Sequence, residues 1–483
     1  MIASSLSVPS EVGENLYQQV AGRIARLVEA GTLRPGERVP SVRRLSEQND
    51  VSIATATQAY RLLESRGILE ARPQSGYYVR PRAWTPPLEP QIYRPRASST
   101  RVEVSDLVVE VIKAAREPDL VRLGAALPAP ELFPIKELNR TMASMARRFP
   151  VAANCYDATP GHLPLRVQIA RRSFEAGCAL APDDILITCG ATEALHLALR
   201  AVAKPGDTIA IESPTFFGIL QMIESLGMKA CEIPTFPRHG ICLDELVARL
   251  KCCRIKACVF TLNFSNPLGS CMPDEKKKKL VEILAERKIP LIEDDIYGNL
   301  HFGPQRPKLA QAFDRDGMVL TCSSFTKTLA PGHRVGWIVP GRFKKQVEFL
   351  KMVTTSATAT LPQMAIAEFV ANGAYDHHLR RIRKFYADQL CRMTEAVTRY
   401  FPAGTKVTRP TGGHVLWVEL PERIDSLDLY RRALRQKVSI APGSIFSANR
   451  KFPNFIRLNC GNPWSDRIEE AMIKLGHIMV EMK

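Results

Sequence analysis

A lysine flanked by a serine and an arginine is the group of residues in this chain best suited to covalent chemistry. Lys327 follows Ser324 by three positions and precedes Arg334 by seven, and Pro331 and Gly332 predict a turn between them. Lysine is a nucleophile that forms Schiff bases with carbonyl compounds, and arginine presents a planar, permanently charged fork that fits phosphate oxygens two at a time. The spacing favours a Schiff-base site for a phosphorylated aldehyde. Taken alone, the segment is also compatible with a solvated lysine and arginine near a loop.

Four further segments, in chain order, could complete such a site. Residues 187–195 predict a strand that passes through a small-residue turn into a helix, so the backbone N–H groups of Ala191 and Thr192 would point at an anion. The other three are Pro214-Thr215-Phe216, the Asn-Pro-Leu-Gly segment at 266–269 and an apolar strand at 290–297 that ends in acids. Each of these has an ordinary explanation when it stands alone, such as a core phenylalanine, a small-residue junction or a solvated turn.

Together and in this order, the segments resemble the aminotransferase-type, fold type I proteins that bind pyridoxal 5'-phosphate. The resemblance runs from Arg122 to Lys483 and implies an α/β fold with a mixed, mostly parallel central sheet and a smaller C-terminal α/β lobe. It implies an internal aldimine on Lys327 and a phosphate held by Ser324, Arg334 and the turn at Ala191 and Thr192. It also implies four ring contacts: stacking by Phe216, a hydrogen bond to the ring hydroxyl from Asn266, pairing of the ring nitrogen with Asp294, and a hydrogen bond to the ring oxygen from Tyr297.

Arg457 lies inside the apolar strand pattern Phe-Ile-Arg-Leu-Asn, where an unpaired charge would be costly. The resemblance supplies an anionic partner, the α-carboxylate of an amino acid held by two parallel hydrogen bonds. It also places Tyr156, five residues before Gly161, where a tyrosine reaches across a dimer interface to the phosphate of the neighbouring subunit. A homodimer is therefore expected.

The first eighty residues predict a separate, smaller fold. Apolar residues at helical spacing cover 16–30, a Gly/Pro break follows, and Ser41 stands where a second helix needs a cap. A third helix is predicted from Ala54 to Arg66, followed by the two strands of a hairpin at 67–72 and 76–79. The frames Leu-x-Pro-Gly-x-x-x-Pro-Ser-x-Arg-x-Leu and Ala-Tyr-x-x-Leu-x-x-x-Gly resemble the winged helix-turn-helix of the GntR family over its full length.

This second resemblance implies double-stranded DNA as a partner. Arg43 would contact a phosphate, and Gly76 would let the wing approach the DNA backbone. Ile53 stands where several relatives have a base-contacting arginine. Base reading in the major groove would therefore depend on apolar contacts with thymine methyl groups and on three hydroxyl side chains, those of Ser52, Thr55 and Thr57.

Length and composition agree with an intracellular protein of two domains. A chain of 483 residues exceeds what one core usually fills, and a net charge of +17 suits a polyanionic partner, although residues 1–100 contribute only +4 of it. No apolar run reaches the length of a membrane span and the N-terminus lacks a signal pattern, so we expect a cytoplasmic protein without a membrane partner. The twelve cysteines, clustered only at Cys252, Cys253 and Cys258, favour buried free thiols and no metal site. The lysine run at 276–279 is expected to be a solvated helix face.

We therefore predict a GntR-type winged helix-turn-helix at 1–80, an extended, proline-rich linker at 81–103 and an aminotransferase-like domain at 104–483. The last would have a large lobe at about 150–345 and a small lobe at about 346–483. This order of modules resembles the MocR group of GntR-type regulators, and it implies a regulator whose Lys327-bound pyridoxal phosphate senses an amino acid, an amine or the cofactor itself. The alternative is a working aminotransferase with a DNA-binding appendage. A scaffold that has lost its cofactor is disfavoured by the complete set of motif residues.

Overall fold

The computed structural model describes residues 15–29, 32–33, 36–66, 68–72, 75–79, 87–114, 117 and 119–482. The chain divides into two compact units, Met1–Pro86 and Pro87–Lys483. Several predicted positions lie outside the described residues: the end of the first helix at 30, part of the Gly/Pro break at 31 and 34–35, the start of the hairpin at 67 and the first part of the linker at 81–86. No helix in these ranges combines the length and the apolarity that a membrane span requires.

The smaller unit contains three helices and one antiparallel hairpin. Ser41 and Ser52 cap the second and third helices, because each side chain accepts a hydrogen bond from the backbone N–H three residues later. Buried apolar side chains from all five elements form its core. These features confirm the predicted winged helix-turn-helix. Its elements are α1 (Leu16–Glu29), α2 (Val42–Asn49), α3 (Ile53–Ser65), β1 (Leu69–Arg72) and β2 (Gly76–Val79).

The larger unit is built on a nine-stranded sheet. Its strands are β3 (Thr100–Arg101), β5 (Leu186–Thr188), β6 (Thr208–Ser213), β7 (Lys229–Phe236), β8 (Gly240–Ile241), β9 (Ile255–Phe260), β10 (Leu291–Asp294), β11 (Val319–Ser324) and β12 (Gly336–Val339). The order is β3-β7-β6-β9-β10-β11-β12-β5, with β8 beside β7. The strands from β7 to β11 in this order are parallel, whereas β12 runs against both of its neighbours. This confirms the expected mixed, mostly parallel sheet.

Two smaller sheets complete the unit. An antiparallel four-stranded sheet contains, in spatial order, β13 (Lys406–Val407), β14 (Val415–Glu419), β17 (Phe455–Asn459) and β16 (Ala441–Pro442). A parallel pair joins β4 (Val121–Arg122) to β15 (Val438–Ser439). The helices are α4 (Ser105–Ala114), α5 (Ile135–Arg148), α6 (Pro150–Asn154), α7 (Leu163–Glu175), α8 (Ala191–Val202), α9 (Phe217–Ser225), α10 (Leu243–Cys252), α11 (Asp274–Glu286), α12 (Lys344–Thr354), α13 (Thr360–Ala371), α14 (Ala374–Tyr400), α15 (Ser426–Arg435) and α16 (Asp466–Glu481).

The direction of the strands gathers the motif residues at one edge of the large sheet. Because β5 is antiparallel to β12, which is antiparallel to β11, β5 points the same way as the parallel strands. The carboxyl ends of β5, β6, β10 and β11 therefore meet at one edge, where open α/β sheets bind their ligands. The residues at or just after these ends are Ala191, Phe216, Asp294 and Lys327.

Residues 87–95 of the predicted linker lie against the larger unit. The carbonyl of Leu88 accepts a hydrogen bond from Val407 N at 2.8 Å, and that of Pro95 accepts one from Arg249 Nη2 at 2.7 Å. Arg94 forms an ion pair with Glu245 at 2.7 Å. This part of the segment has no regular secondary structure, but it is anchored along its length and is not a free connector.

Two expectations about polar side chains hold only in part, because Lys278 and Lys279 are exposed but other residues of the same groups differ. Lys277, within the lysine run, is fully buried, and its Nζ donates to Asn263 Oδ1 at 2.8 Å and to the carbonyl of Lys308 at 2.6 Å. Asp274, three residues earlier, pairs with this charge at 3.2 Å, but the two other acceptors are distant in sequence and a local pattern cannot reveal them. Cys258 is a buried free thiol as expected, whereas Cys252 is exposed at the end of α10.

Candidate functional site

A cavity of about 550 Å³ opens at the carboxyl edge of the large sheet. Its walls come from both the nine-stranded sheet and the four-stranded sheet, since Lys327 follows β11 and Arg457 lies on β17. Residues predicted from widely separated motifs therefore share one space. The predicted residues that line it are Ala191, Thr192, Phe216, Asn266, Asp294, Tyr297, Lys327, Arg334 and Arg457.

Lys327 is half-buried, and its Nζ donates a hydrogen bond to the carbonyl of Ala126 at 2.6 Å. Burial and the nearby Arg457 lower the pKa of Lys327 to about 8, although Asp294 opposes the shift. A sizeable fraction of the amine is therefore unprotonated near neutral pH. Nucleophilic attack on a carbonyl carbon requires this form.

Asp294 ends β10 with a carboxylate that is almost completely buried. Within the described part of the chain its only hydrogen bond comes from Ile296 N, at 3.3 Å. Burial and the neighbouring Asp295 raise the pKa of Asp294 to about 7. A cationic N–H group in the cavity would stabilise the charged carboxylate, as the protonated ring nitrogen of pyridoxal phosphate does.

Arg457 is 1% exposed, and its guanidinium is only partly satisfied by protein groups. Nη1 donates to Asn266 Oδ1 at 3.0 Å and Nη2 donates to the carbonyl of Gly124. Nε has no acceptor among the residues that the structure describes. Burial lowers the pKa of Arg457 to about 10, against an opposing effect of Tyr297. A buried cation with an unpaired donor is suited to an anionic ligand.

The N-terminus of α8 and Arg334 lie side by side at another wall. Gly190, just before the helix, has a φ of 87°, and a Cβ atom there would lie 2.4 Å from Arg334 Nη2. Arg334 donates to the carbonyl of Cys189 at 3.1 Å and is otherwise exposed. The first N–H groups of α8, at Ala191 and Thr192, face the same cavity, so the wall combines a fixed cation with helix-terminal donors. Phosphate groups bind in such places.

Three aromatic side chains, those of Phe216, Phe217 and Tyr297, form part of the remaining wall. The ring of Phe216 lies 4.6 Å from that of Phe217, centroid to centroid. The hydroxyl of Tyr297 accepts a hydrogen bond from Asn266 Nδ2 at 3.4 Å. Burial raises the pKa of Tyr297 to about 12, so its phenol stays neutral and can donate its proton in a hydrogen bond.

Two predicted residues do not line the cavity. Ser324 is buried behind it, where its Oγ accepts a hydrogen bond from Thr326 N at 3.2 Å, and Thr326 lines the cavity instead. Tyr156 follows α6, is 91% exposed and lies on a different surface, beside residues 357–362. Within a single chain, Tyr156 therefore contributes nothing to this site.

Sequence reasoning missed the segment that follows β4. The carbonyl groups of Gly124 and Ala126 accept hydrogen bonds from Arg457 and Lys327, and the Arg122 side chain belongs to the same wall. Gly124 has no room for a side chain, because a Cβ atom would lie 2.5 Å from the backbone of Ile440. The run of small residues before Pro128 was the available signal for this close approach.

The predicted DNA contacts lie on the smaller unit. Arg43 is exposed on α2. Ser52 Oγ and Thr55 Oγ1 are 2.8 Å apart at the start of α3, and Thr57 Oγ1 donates to the carbonyl of Ile53 at 2.7 Å. These hydroxyl groups therefore make local hydrogen bonds at the start of α3. To contact DNA bases they would have to share these hydrogen bonds or exchange them for new ones. Ile53 itself is 56% exposed.

The wing places an additional arginine beside the predicted glycine. Gly76 has a φ of 106°, which favours glycine, and a Cβ atom there would lie 3.4 Å from Arg38 Nε. The Arg38 side chain is exposed, and the Arg38 backbone pairs with that of Tyr78 in β2. The sequence prediction did not include Arg38.

Comparisons with known proteins cover both units. A family model for aminotransferase class I and II matches residues 136–475, and a model for bacterial regulatory proteins of the gntR family matches residues 16–79. The chain is 39% identical to the uncharacterized HTH-type transcriptional regulator YdcR of Escherichia coli K12, over 96% of this chain and 99% of that protein.

Two solved aminotransferases resemble the larger part of the chain. The kynurenine aminotransferase of Pyrococcus horikoshii has a TM-score of 0.73 and 32% identity, over 78% of this chain and 94% of its own. LysN, the α-aminoadipate aminotransferase of Thermus thermophilus, was solved with N-(5'-phosphopyridoxyl)-L-leucine. It has a TM-score of 0.72 and 29% identity, over 79% of this chain and 96% of its own.

Proposed function

This chain belongs to the gntR family of bacterial regulatory proteins and to the aminotransferase class I and II family, with pyridoxal 5'-phosphate as its cofactor, and from that premise we propose that the cofactor domain senses an amine-bearing ligand. The ligand is an amino acid, an amine or the cofactor itself, and its binding alters the contact of the smaller unit with DNA. The unpaired Nε of buried Arg457, in the same cavity as Lys327, is the observation that carries the proposal.

The residues that line the cavity suit the cofactor. When bound, pyridoxal phosphate supplies an aldehyde that bonds covalently to an amine and a ring that withdraws electrons. Lys327 provides the amine, Arg334 and the start of α8 hold the phosphate, and Asp294 accepts a hydrogen bond from the ring nitrogen. Asn266 and Tyr297 bind the ring oxygen and Phe216 stacks on the ring. Ser324 supports this wall through its hydrogen bond with Thr326 N.

An amino acid is the favoured ligand because of Arg457. Its guanidinium forms the end of the cavity on the four-stranded sheet, whereas Lys327 belongs to the nine-stranded sheet. An amino acid that binds Arg457 through its carboxylate and replaces Lys327 through its amine would contact both sheets. Such a ligand can stabilise one relative position of the two sheets over another.

Residues 87–95 are placed to transmit that change. The carboxylate of Glu89 accepts a hydrogen bond from Arg238 Nε at 2.5 Å and another from Arg409 N at 3.1 Å. Arg238 follows β7 of the nine-stranded sheet and Arg409 follows β13 of the four-stranded sheet. Glu89 thus bridges the same two sheets as the ligand, from the segment that leads towards the smaller unit. A shift between the sheets would change this bridge.

Binding to an operator is proposed to require two copies of the chain. Tyr156, exposed and away from its own cavity, would reach the phosphate of the partner chain in a homodimer. Two winged helices would then bind two half-sites, with Arg43 and Gly76 at the DNA backbone and Ser52, Thr55 and Thr57 at the bases.

A working aminotransferase is the second candidate. The nearly complete set of predicted residues in the cavity favours it, because nothing that transamination needs is replaced. Formation of a 2-oxo acid from an amino acid would distinguish this activity from sensing alone.

The test combines a spectrum with DNA binding. We expect the full-length protein with pyridoxal phosphate to show a visible band of lysine-bound cofactor, and Lys327→Ala to lack that band and any borohydride-reducible adduct. DNA selected for binding to the parent protein should be protected differently when amino acids are added, and this difference should disappear in Lys327→Ala. Protection that is identical with and without every ligand would refute sensing, and an adduct that persists in the variant would refute Lys327.

A further inference from the structure

The cavity contains more positive charge than the proposed cofactor and an α-carboxylate account for. Its charged lining residues are Arg122, Asp294, Lys327, Arg334 and Arg457. In the proposed function Lys327 meets the aldehyde, Arg334 the phosphate, Asp294 the ring nitrogen and Arg457 the α-carboxylate. Arg122 is left without a role.

Arg122 lines the cavity at the end of β4. Residues paired across two strands share a face. Ser439, which pairs with Arg122, also lines the cavity, and so does Gly124, whereas the intervening Leu123 is buried in the core. The strand ends at Arg122, so Gly124 lies just beyond it. Arg122 therefore lines the same cavity as the residue whose carbonyl binds Arg457.

The spacing suits a ligand with two carboxylates. Arg122 lies two residues before Gly124, a separation of at most about 7 Å of chain, and the carbonyl of Gly124 accepts a hydrogen bond from Arg457 Nη2. Arg122 is exposed and forms no ion pair within the ranges that the structure describes. Val111 and Ile112 of α4 line the same cavity and can cover methylene groups.

We propose that Arg122 determines specificity by binding the distal carboxylate of an acidic amino acid whose α-carboxylate is bound by Arg457. This rests on the proposed function and assigns its ligand to the class of dicarboxylic amino acids. The two guanidinium groups would fix the ends of the ligand and leave its amine near Lys327. Arg122 is exposed, so its contribution is expected to be smaller than that of buried Arg457.

The experiment compares acids with their amides. Full-length protein loaded with pyridoxal phosphate is titrated with L-aspartate, L-glutamate and L-2-aminoadipate, and with L-asparagine and L-glutamine, while the visible band is followed. We expect at least one acid to bind about tenfold more tightly than its amide, a preference that Arg122→Gln abolishes and Arg122→Lys partly keeps. Arg431→Gln, an exposed arginine of α15 outside the cavity, is the matched control and should keep the preference.

A second readout separates this inference from the proposed function. Succinate and glutarate carry two carboxylates and no amine, so they can raise the Tm of the loaded protein without any reaction at Lys327. Stabilisation that is lost in Arg122→Gln supports the assignment, even if no amino acid changes the spectrum and sensing is refuted. Equal binding of acid and amide by the parent protein, or a preference that survives in Arg122→Gln, would overturn it.

Discussion

The two units of this chain differ in the burial of particular charged side chains. In the larger unit Arg457 and Lys277 are buried. A hydrogen-bond donor that is buried without an acceptor lowers the stability of the fold. In the smaller unit Arg43 and Arg38 are exposed to solvent. A buried charge suits a small ligand that carries the opposite charge at one fixed position. Exposed charges suit a polyanion whose phosphates recur along its length.

The units also differ in how far apart in sequence their contacts lie. Ser41 and Ser52 cap helices through the backbone N–H of a residue three positions away. Arg457 binds the carbonyl of Gly124, 333 residues earlier in the chain. The smaller unit is therefore specified by local patterns, and the cavity exists only when the whole larger unit is folded.

Replacement of Arg457 should produce the largest effect, because it removes a buried charge. We expect Arg457→Ala to weaken the response to amino acids by about 2–5 kcal/mol, while the cofactor itself stays bound through Lys327 and Arg334. The measurement is a titration of the visible band with amino acids, with cofactor content determined separately. Equal titration curves for parent and variant would remove Arg457 from the ligand site and weaken the contrast between buried and exposed charge.

The pH dependence of cofactor capture tests the buried environment of Lys327. Its pKa is lowered to about 8, so about half of the amine is in the reactive, unprotonated form at that pH. Nearly all of it is unprotonated one pH unit higher, and well below the pKa the unprotonated fraction falls about tenfold per pH unit. We expect the rate of band formation after mixing apoprotein with pyridoxal phosphate to rise from pH 6 and to level off above about pH 9. A rate that keeps rising to pH 10 would indicate an ordinary, solvated lysine.

Arg43 should give the smallest effect, because an exposed contact with phosphate is screened by salt. We expect Arg43→Ala to weaken DNA binding by a similar factor for every sequence and to reduce the dependence of log K on log salt by about one charge. Binding isotherms at several salt concentrations measure both quantities, with Arg431→Gln as a control on the other unit. A loss confined to one DNA sequence would mean that Arg43 reads a base.

The sequence predicted those parts of the protein that depend on neighbours in the chain. The helix cap at Ser41, the hairpin wing and the residues at or after the strand ends, such as Asp294 and Lys327, all lie in short motifs, whereas the cap at Ser52 was not predicted. It did not predict the partners of Lys277 or the carbonyl contacts of Gly124 and Ala126, because each joins segments that only the folded sheet order brings together. The prolines of the linker predicted an extended conformation. Proline content does not reveal that Arg249 and Val407 donate hydrogen bonds to the linker backbone.

The docking of residues 87–95 decides where the larger unit could be separated from the smaller one for expression on its own. A polypeptide begun at residue 104 would lack the carbonyl of Pro95, leaving Arg249, only 2% exposed, short of one hydrogen-bond acceptor at a cost of about 1–3 kcal/mol. It would also lack Glu89 and the strand β3 that pairs with β7. A gene fragment begun at codon 87 keeps all of these contacts, so it is the better starting point for producing the larger unit alone or for fusing it to a different DNA-binding domain.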